Sequence, residues 1–184
     1  MSHLSQAASG DLRAVIEDDA AFRAWFERCM PRVYAYLLSR SGSKEIAEAL
    51  TQEVFLEAVR RPGSFDGRGD SLPWLMGSAR NHLADHVKQH YRDRDRHEQL
   101  VREVRLGDSA SAAWQASDRR TAIKAALESL PLPQRAVMTL RFLDDLTVKE
   151  IATRLGRSED AVESLLRRAR ETFERRYREA ADAH

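Results

Sequence analysis

Apolar positions along this chain recur at three- and four-residue steps instead of alternating, the signature of helices that each bury one face. Such patterns run roughly from Asp19 to Ser39, Ser43 to Arg60, Ser71 to about Gln99, Ala113 to Glu128, Pro133 to Leu143, Thr147 to Leu155, and Ser158 to about Ala180. Turn residues fall between them: Pro62 and Gly63 in one gap, Pro131 and Pro133 in another. Sustained apolar/polar alternation is absent, so the fold is predicted to be all-α. From Tyr91 to Ser117 the pattern gives way to mixed charge and then to small polar residues, which reads as an exposed, flexible linker. The chain is therefore expected to form two small helical domains on either side of it. Neither carries a repeat of solenoid period.

The sharpest local pattern is IATRLGRSEDAVESLLRRARE, Ile151 to Glu171. Val148, Ile151, Ala152 and Leu155 form one helical face, and Thr147 with Glu150 three residues later makes a capping box that fixes the start. Gly156 ends the helix, because glycine enters the left-handed conformation without a steric penalty. Ser158 caps a second helix with an inward face of Ala161, Val162, Leu165, Leu166 and Ala169, and Glu159 and Asp160 suit its positive dipole end. Two helices joined by a short glycine turn form a helix-turn-helix, a geometry shared by DNA readers and ordinary helical hairpins. Arg154, Arg157, Arg167, Arg168, Arg170, Arg175 and Arg176 favour the DNA reader, since guanidinium groups meet phosphates and guanine edges. The front of the second helix is acidic, however. Glu159, Asp160 and Glu163 repel phosphate, so this module alone is expected to bind weakly.

Composition narrows the picture further. The 184 residues carry a formal net charge of only +1, so any DNA contact comes from local patches. The single cysteine, Cys29, excludes an internal disulfide and a cysteine-rich zinc site, and its apolar neighbours make it a core thiol. No secretory leader pattern and no apolar run of membrane-spanning length occurs, so a cytoplasmic location without membrane insertion is expected. His82, His86 and His90 stand on successive helical turns, but three such residues do not converge on one tetrahedral ion unaided; no metal and no cofactor is expected. Neither a phosphate-binding lysine loop nor a nucleophile in a recognisable context is present, and no enzymatic activity is expected.

In the first half, AEALTQEVFLEAVRR carries Ile46, Leu50, Val54 and Val59 on or near one face, with Phe55 and Leu56 beside them. The adjoining polar edge of Gln52, Glu53 and Glu57 is suited to docking a partner helix. SFDGRGDSLPWLMGSARNHLADHVK follows, a glycine-bearing loop and then a helix with Trp74, Arg80, Asn81, Asp85 and Lys88. An aromatic, an amide and basic groups near one loop are the materials for holding an unpaired base. In the loop's Arg68-Gly69-Asp70, the glycine supplies a turn and Asp70 a helix cap.

These motifs, followed by the linker and LESLPLPQRAVMTLRFLDDLTVKEIATRLGRSEDAVESLLRRAR, resemble in order the extracytoplasmic-function sigma factors of bacterial RNA polymerase, over about Phe22 to Arg176. A disordered or weakly ordered N-terminus is expected at 1–18, and the resemblance implies a region-two-like domain at 19–92 for polymerase docking, minus-ten recognition and melting. A linker at 93–117 and a region-four-like helix-turn-helix domain at 118–180, reading the minus-thirty-five element, complete the plan. It assigns Gln52, Glu53, Phe55 and Leu56 to polymerase docking. Phe65, Asp66, Arg68, Trp74, Arg80, Asn81 and Lys88 are assigned to minus-ten DNA, where one base is flipped out at a few kcal/mol of unstacking. Arg157, Ser158, Glu159, Glu163, Arg167 and Arg168 are assigned to minus-thirty-five DNA. The implied partners are core RNA polymerase, promoter DNA and an anti-sigma factor, with nucleoid association when bound to polymerase. An acidic reading helix is tolerable in such a protein, because polymerase tethers both domains to one promoter and raises their effective concentration there.

Some positions depart from the family pattern. Ala49 stands where an aspartate is usual, and Lys88 replaces adjacent arginines after Asp85. Glu163 and Leu165 occupy positions where lysine and arginine are frequent, so the promoter preference does not carry over. Two other classes remain. A stand-alone helix-turn-helix regulator binds duplex DNA tightly without polymerase, usually as a dimer on a palindrome; a helical adaptor or anti-sigma partner shows no promoter preference at all.

Overall fold

In the computed structural model, which describes residues 12–67, 69–97 and 118–182, the regular elements are helical. They are α1 (Leu12–Glu17), α2 (Asp19–Ser41), α3 (Lys44–Arg60), a 3-10 turn at Pro62–Ser64, α4 (Leu72–His97), α5 (Asp118–Glu128), α6 (Leu132–Phe142), α7 (Val148–Leu155) and α8 (Glu159–Asp182). The chain divides into two compact units, Met1–Leu83 and Ala84–His184, with the division inside α4. Of the expected linker, 93–97 continue α4, and 98–117 lie outside the described residues, as do 113–117, where a helix was expected to begin.

In the first unit, side-chain caps set where helices start and a glycine sets where one stops. The Asp18 carboxylate accepts from the Ala21 N–H at 2.7 Å to start α2. Gly42, at φ 67°, ends it and donates its N–H to the Leu38 carbonyl. Ser43 Oγ then accepts from the Ile46 N–H at 3.2 Å to start α3. Trp25, Cys29, Val33 and Leu37 recur every four residues along α2 and are buried against Ala47, Leu50, Val54, Phe55 and Ala58 of α3 and Leu75, Ala79 and Leu83 of α4. Truncating a fully buried leucine such as Leu37 to alanine costs about 2–5 kcal/mol. Cys29 is buried and free, and that burial raises its thiol pKa.

Two expectations for this unit need correction. The segment read as weakly ordered contains α1, which places Leu12, Val15 and Ile16, one helical face, on the first core. Six residues are too few for a stable isolated helix, so α1 owes its order to that packing, which local sequence does not display. Val59, grouped with the apolar face of α3, is 39% exposed; Leu50 and Val54 are buried.

In the second unit, α6 to α8 and Ala84 and Val87 of α4 share a core that includes Val137, Leu140, Ile151, Leu155, Val162, Leu166 and Ala169. Arg135, only 4% exposed, donates from its guanidinium to the carbonyls of Leu127 (2.7 Å), Glu128 and Leu130 (3.1 Å). A cation thus closes the end of α5, where helix carbonyls are left without partners and the dipole is negative. Burial lowers the Arg135 pKa, opposed by the Glu128 charge.

Candidate functional site

Three surfaces carry the side chains singled out above. On α3, Gln52 and Glu53 are exposed and Leu56 is 49% exposed, so these three share an outer face that Val59 extends. Phe55 does not belong to it. Its ring is 6% exposed and packs edge-on against Trp25 and Phe26, at centroid distances of 5.3 and 4.8 Å. The expected docking role of Phe55 is therefore corrected to a core role, since the helical period turns residue 55 inward while 52, 53, 56 and 59 face out.

Behind this face lies a network that sequence reasoning missed. Glu57 Oε2 accepts from Ser78 Oγ at 2.7 Å and meets His82 Nε2 at 2.9 Å, and His82 Nδ1 lies 3.3 Å from Glu53 Oε2. The Ser78 hydrogen bond holds the Glu57 carboxyl below its usual pKa; burial opposes this, and His82 reinforces it. His82, singled out in the sequence only for its spacing with His86 and His90, is engaged with α3. The four-residue step from Glu53 to Glu57 was visible in the sequence, but the matching positions on α4, more than twenty residues away, were not.

The second surface is the loop between α3 and α4. Gly67 and Gly69 adopt φ of 73° and 72°, a left-handed conformation that glycine enters at low cost. Phe65 and Trp74, both half-buried on the first core, approach with ring centroids 5.7 Å apart, and Asp66 is exposed. Asp70 accepts from the Leu72 N–H at 3.1 Å, as expected of a cap, and the buried Ser71 hydroxyl accepts from Trp25 Nε1 at 2.8 Å, pinning the start of α4 to α2. Arg68 lies outside the described residues. On α4, Arg80 is half-buried and Asn81 exposed. Lys88, expected with the minus-ten set, belongs to the second unit, where its Cε comes within 2.9 Å of the position a β-carbon on Gly156 would take.

The third surface is the helix-turn-helix. The Thr147–Glu150 capping box is present: the Glu150 N–H donates to Thr147 Oγ1 at 3.2 Å, and the Thr147 N–H to Glu150 Oε2 at 2.8 Å. Gly156, at φ 61°, makes the turn, and the Arg157 N–H returns to the Ala152 carbonyl at 3.0 Å. Ser158 Oγ accepts from the Ala161 N–H at 3.2 Å, setting the start of α8. Glu159, Glu163, Arg167 and Arg168 are exposed, with Arg167 3.5 Å from Glu171 and Arg168 Nε donating to the Ser164 carbonyl. The half-buried Arg157 lies with its guanidinium 3.8 Å over the Tyr91 ring. Leu165 is 6% exposed, so the departure from the family pattern there falls in the core and not on the outer face.

The outer face of α8 thus runs from acidic at its first turn to basic two turns later. Carboxylates there can accept from cytosine amino groups, and the arginines beyond them can meet phosphate or guanine. Among the described residues, no three His, Cys, Asp or Glu side chains are placed to hold one ion, and no helix is long and apolar enough to cross a membrane.

Comparison with known proteins finds two matched regions in order along the chain, the first extending through α4. The family model for Sigma-70 region 2 matches residues 25–97, and that for Sigma-70, region 4 matches residues 120–173. The chain is 36% identical over 168 residues to the ECF RNA polymerase sigma factor BldN of Streptomyces coelicolor, covering 89% of this chain and 62% of that protein. It is 31% identical over 156 residues to the ECF RNA polymerase sigma factor SigM of Bacillus subtilis, covering 83% of this chain and 92% of that one. Among solved structures, the sigma factor RpoE in complex with the anti-sigma factor NepR from Bartonella quintana matches with a TM-score of 0.47 at 20% identity, covering 85% of this chain and 96% of that one.

Proposed function

Because the chain belongs to the extracytoplasmic-function sigma factors, which are transcription initiation factors and not enzymes, we propose that it binds core RNA polymerase and directs it to promoters with two elements. The docking face is Gln52, Glu53 and Leu56 on α3, exposed together on one side of a helix whose other side is core. The loop from Phe65 to Asp70, with Trp74, Arg80 and Asn81, receives a base flipped from the minus-ten element. The outer face of α8, with Ser158, Glu159, Glu163, Arg167 and Arg168, reads the minus-thirty-five duplex. An anti-sigma factor, of the kind bound to the similar RpoE, restrains the protein by covering these surfaces. The protein acts in the cytoplasm, on the nucleoid when bound to polymerase.

The observation that carries this reading is the order of the two matched regions, 25–97 and then 120–173, with the capped helix-turn-helix in the second. A stand-alone regulator requires only the latter. Run-off transcription from fragmented bacterial DNA, with core polymerase and with or without this protein, tests it. New transcript starts that share two upstream elements are expected; none, from folded protein, would reject the reading.

A further inference from the structure

The second half of α4 serves two regions. The match to Sigma-70 region 2 runs to residue 97, and the family resemblance gives Lys88 to minus-ten DNA. Yet Ala84 and Val87, 2% and 0% exposed, lie in the core that the helix-turn-helix builds, and Tyr91 packs on the same core. The contact reaches the reading residues. The half-buried Arg157 lies with its guanidinium 3.8 Å over the Tyr91 ring, so this cation already has a partner. One turn earlier on α4, the Lys88 stem crosses the turn glycine: its Cε and Nζ come within 2.9 and 3.2 Å of the place a β-carbon on Gly156 would take. Both contacts lie inside the second unit.

Promoter geometry does not let this contact persist. The names of the two elements place them roughly 25 base pairs apart, which is about 85 Å of duplex at about 3.4 Å per base pair. A lysine lying on Gly156 and the arginine next to that glycine cannot be at both elements together. We propose that the Lys88–Tyr91 turn of α4 is an intramolecular cover on the helix-turn-helix, which withholds Arg157 from duplex until the chain assembles on polymerase and a promoter. This rests on the two-element reading given under Proposed function. Burial of Ala84 and Val87 and the Arg157–Tyr91 stack stabilise closure. Opening exchanges the stack for phosphate or guanine contacts of the same guanidinium. The weak duplex binding expected of the helix-turn-helix then has a second cause besides its acidic first turn.

Pulsed electron spin resonance on the full chain tests it, with spin labels at Gln89→Cys on α4 and Glu174→Cys on α8, both exposed, in a Cys29→Ala background. The chain alone should give one short distance. Assembled with core polymerase and a promoter recovered by run-off transcription, it should give one longer by tens of ångströms. An unchanged distance in an assembly that starts transcription would overturn the proposal and leave the two-element reading standing; no new transcript starts would remove both. Duplex binding by the chain alone gives a second readout. Tyr91→Ala should bind the upstream element about two- to fivefold more tightly than wild type, the effect of losing one exposed cation–π stack, and Tyr91→Phe, which keeps the ring, should match wild type. Tyr91→Ala binding no tighter than wild type would also overturn the proposal.

Discussion

The helix-turn-helix and the α3 face both present polar residues on the outside of a buried helix, yet they are held in place differently. Around α7 and α8 the shape is set by neighbours in sequence: Thr147 with Glu150, Gly156, and Ser158, each acting within four residues. On α3 the charged edge is organised across helices, by Ser78 and His82 reaching Glu57 and Glu53 from α4. A surface built from local caps behaves as a preformed shape. One built from long-range polar contacts depends on the packing of a second helix, and that distinction matches the roles proposed above, a duplex reader on one side and a docking face on the other.

The largest effect is expected at Arg135, where a buried cation, not a side-chain cap, holds a helix end in the second unit. Arg135→Ala should remove roughly 3–5 kcal/mol of stability, because three carbonyls at the end of α5 lose their donor. Urea unfolding monitored on the full chain would measure it, and a loss below 1 kcal/mol would contradict the assignment. Next comes the turn. Gly156→Val should cost about 1–3 kcal/mol, since φ 61° strains a β-branched residue and its β-carbon would meet Lys88. The smallest effect lies on α3. Because the folded Glu57 pKa is depressed, its contribution to stability is fully present above the ordinary glutamate pKa and is lost as pH falls below it through the folded value. Ser78→Ala removes the largest cause of that depression, so it should be slightly less stable than the wild type at neutral pH, with the difference closing as pH falls through the folded value. Identical urea midpoints at neutral pH would show that the hydroxyl contributes nothing.

Legibility in the sequence follows the same line. The caps of α7 and α8, the left-handed Gly156 and the role of Asp70 were readable because each depends on residues a few positions apart. Phe55 was assigned to docking by the family resemblance alone; its burial is decided by the neighbouring aromatics Trp25 and Phe26, which a wide apolar stripe does not reveal. The order of α1, the burial of Leu165 and the His82 bridge are tertiary facts of the same kind: each is decided by a distant element, and composition and period carry no trace of it.

In the function proposed above, polymerase and not the helix-turn-helix alone supplies the affinity for the promoter. The most direct measurement is the affinity for one promoter duplex, across a salt series, of the chain alone and of the chain assembled with core polymerase. Weak, strongly salt-sensitive binding is expected of the chain alone, and specific binding, lost when either upstream element is mutated, of the assembly. Tight, sequence-specific binding by the chain alone, undiminished without polymerase, would contradict it.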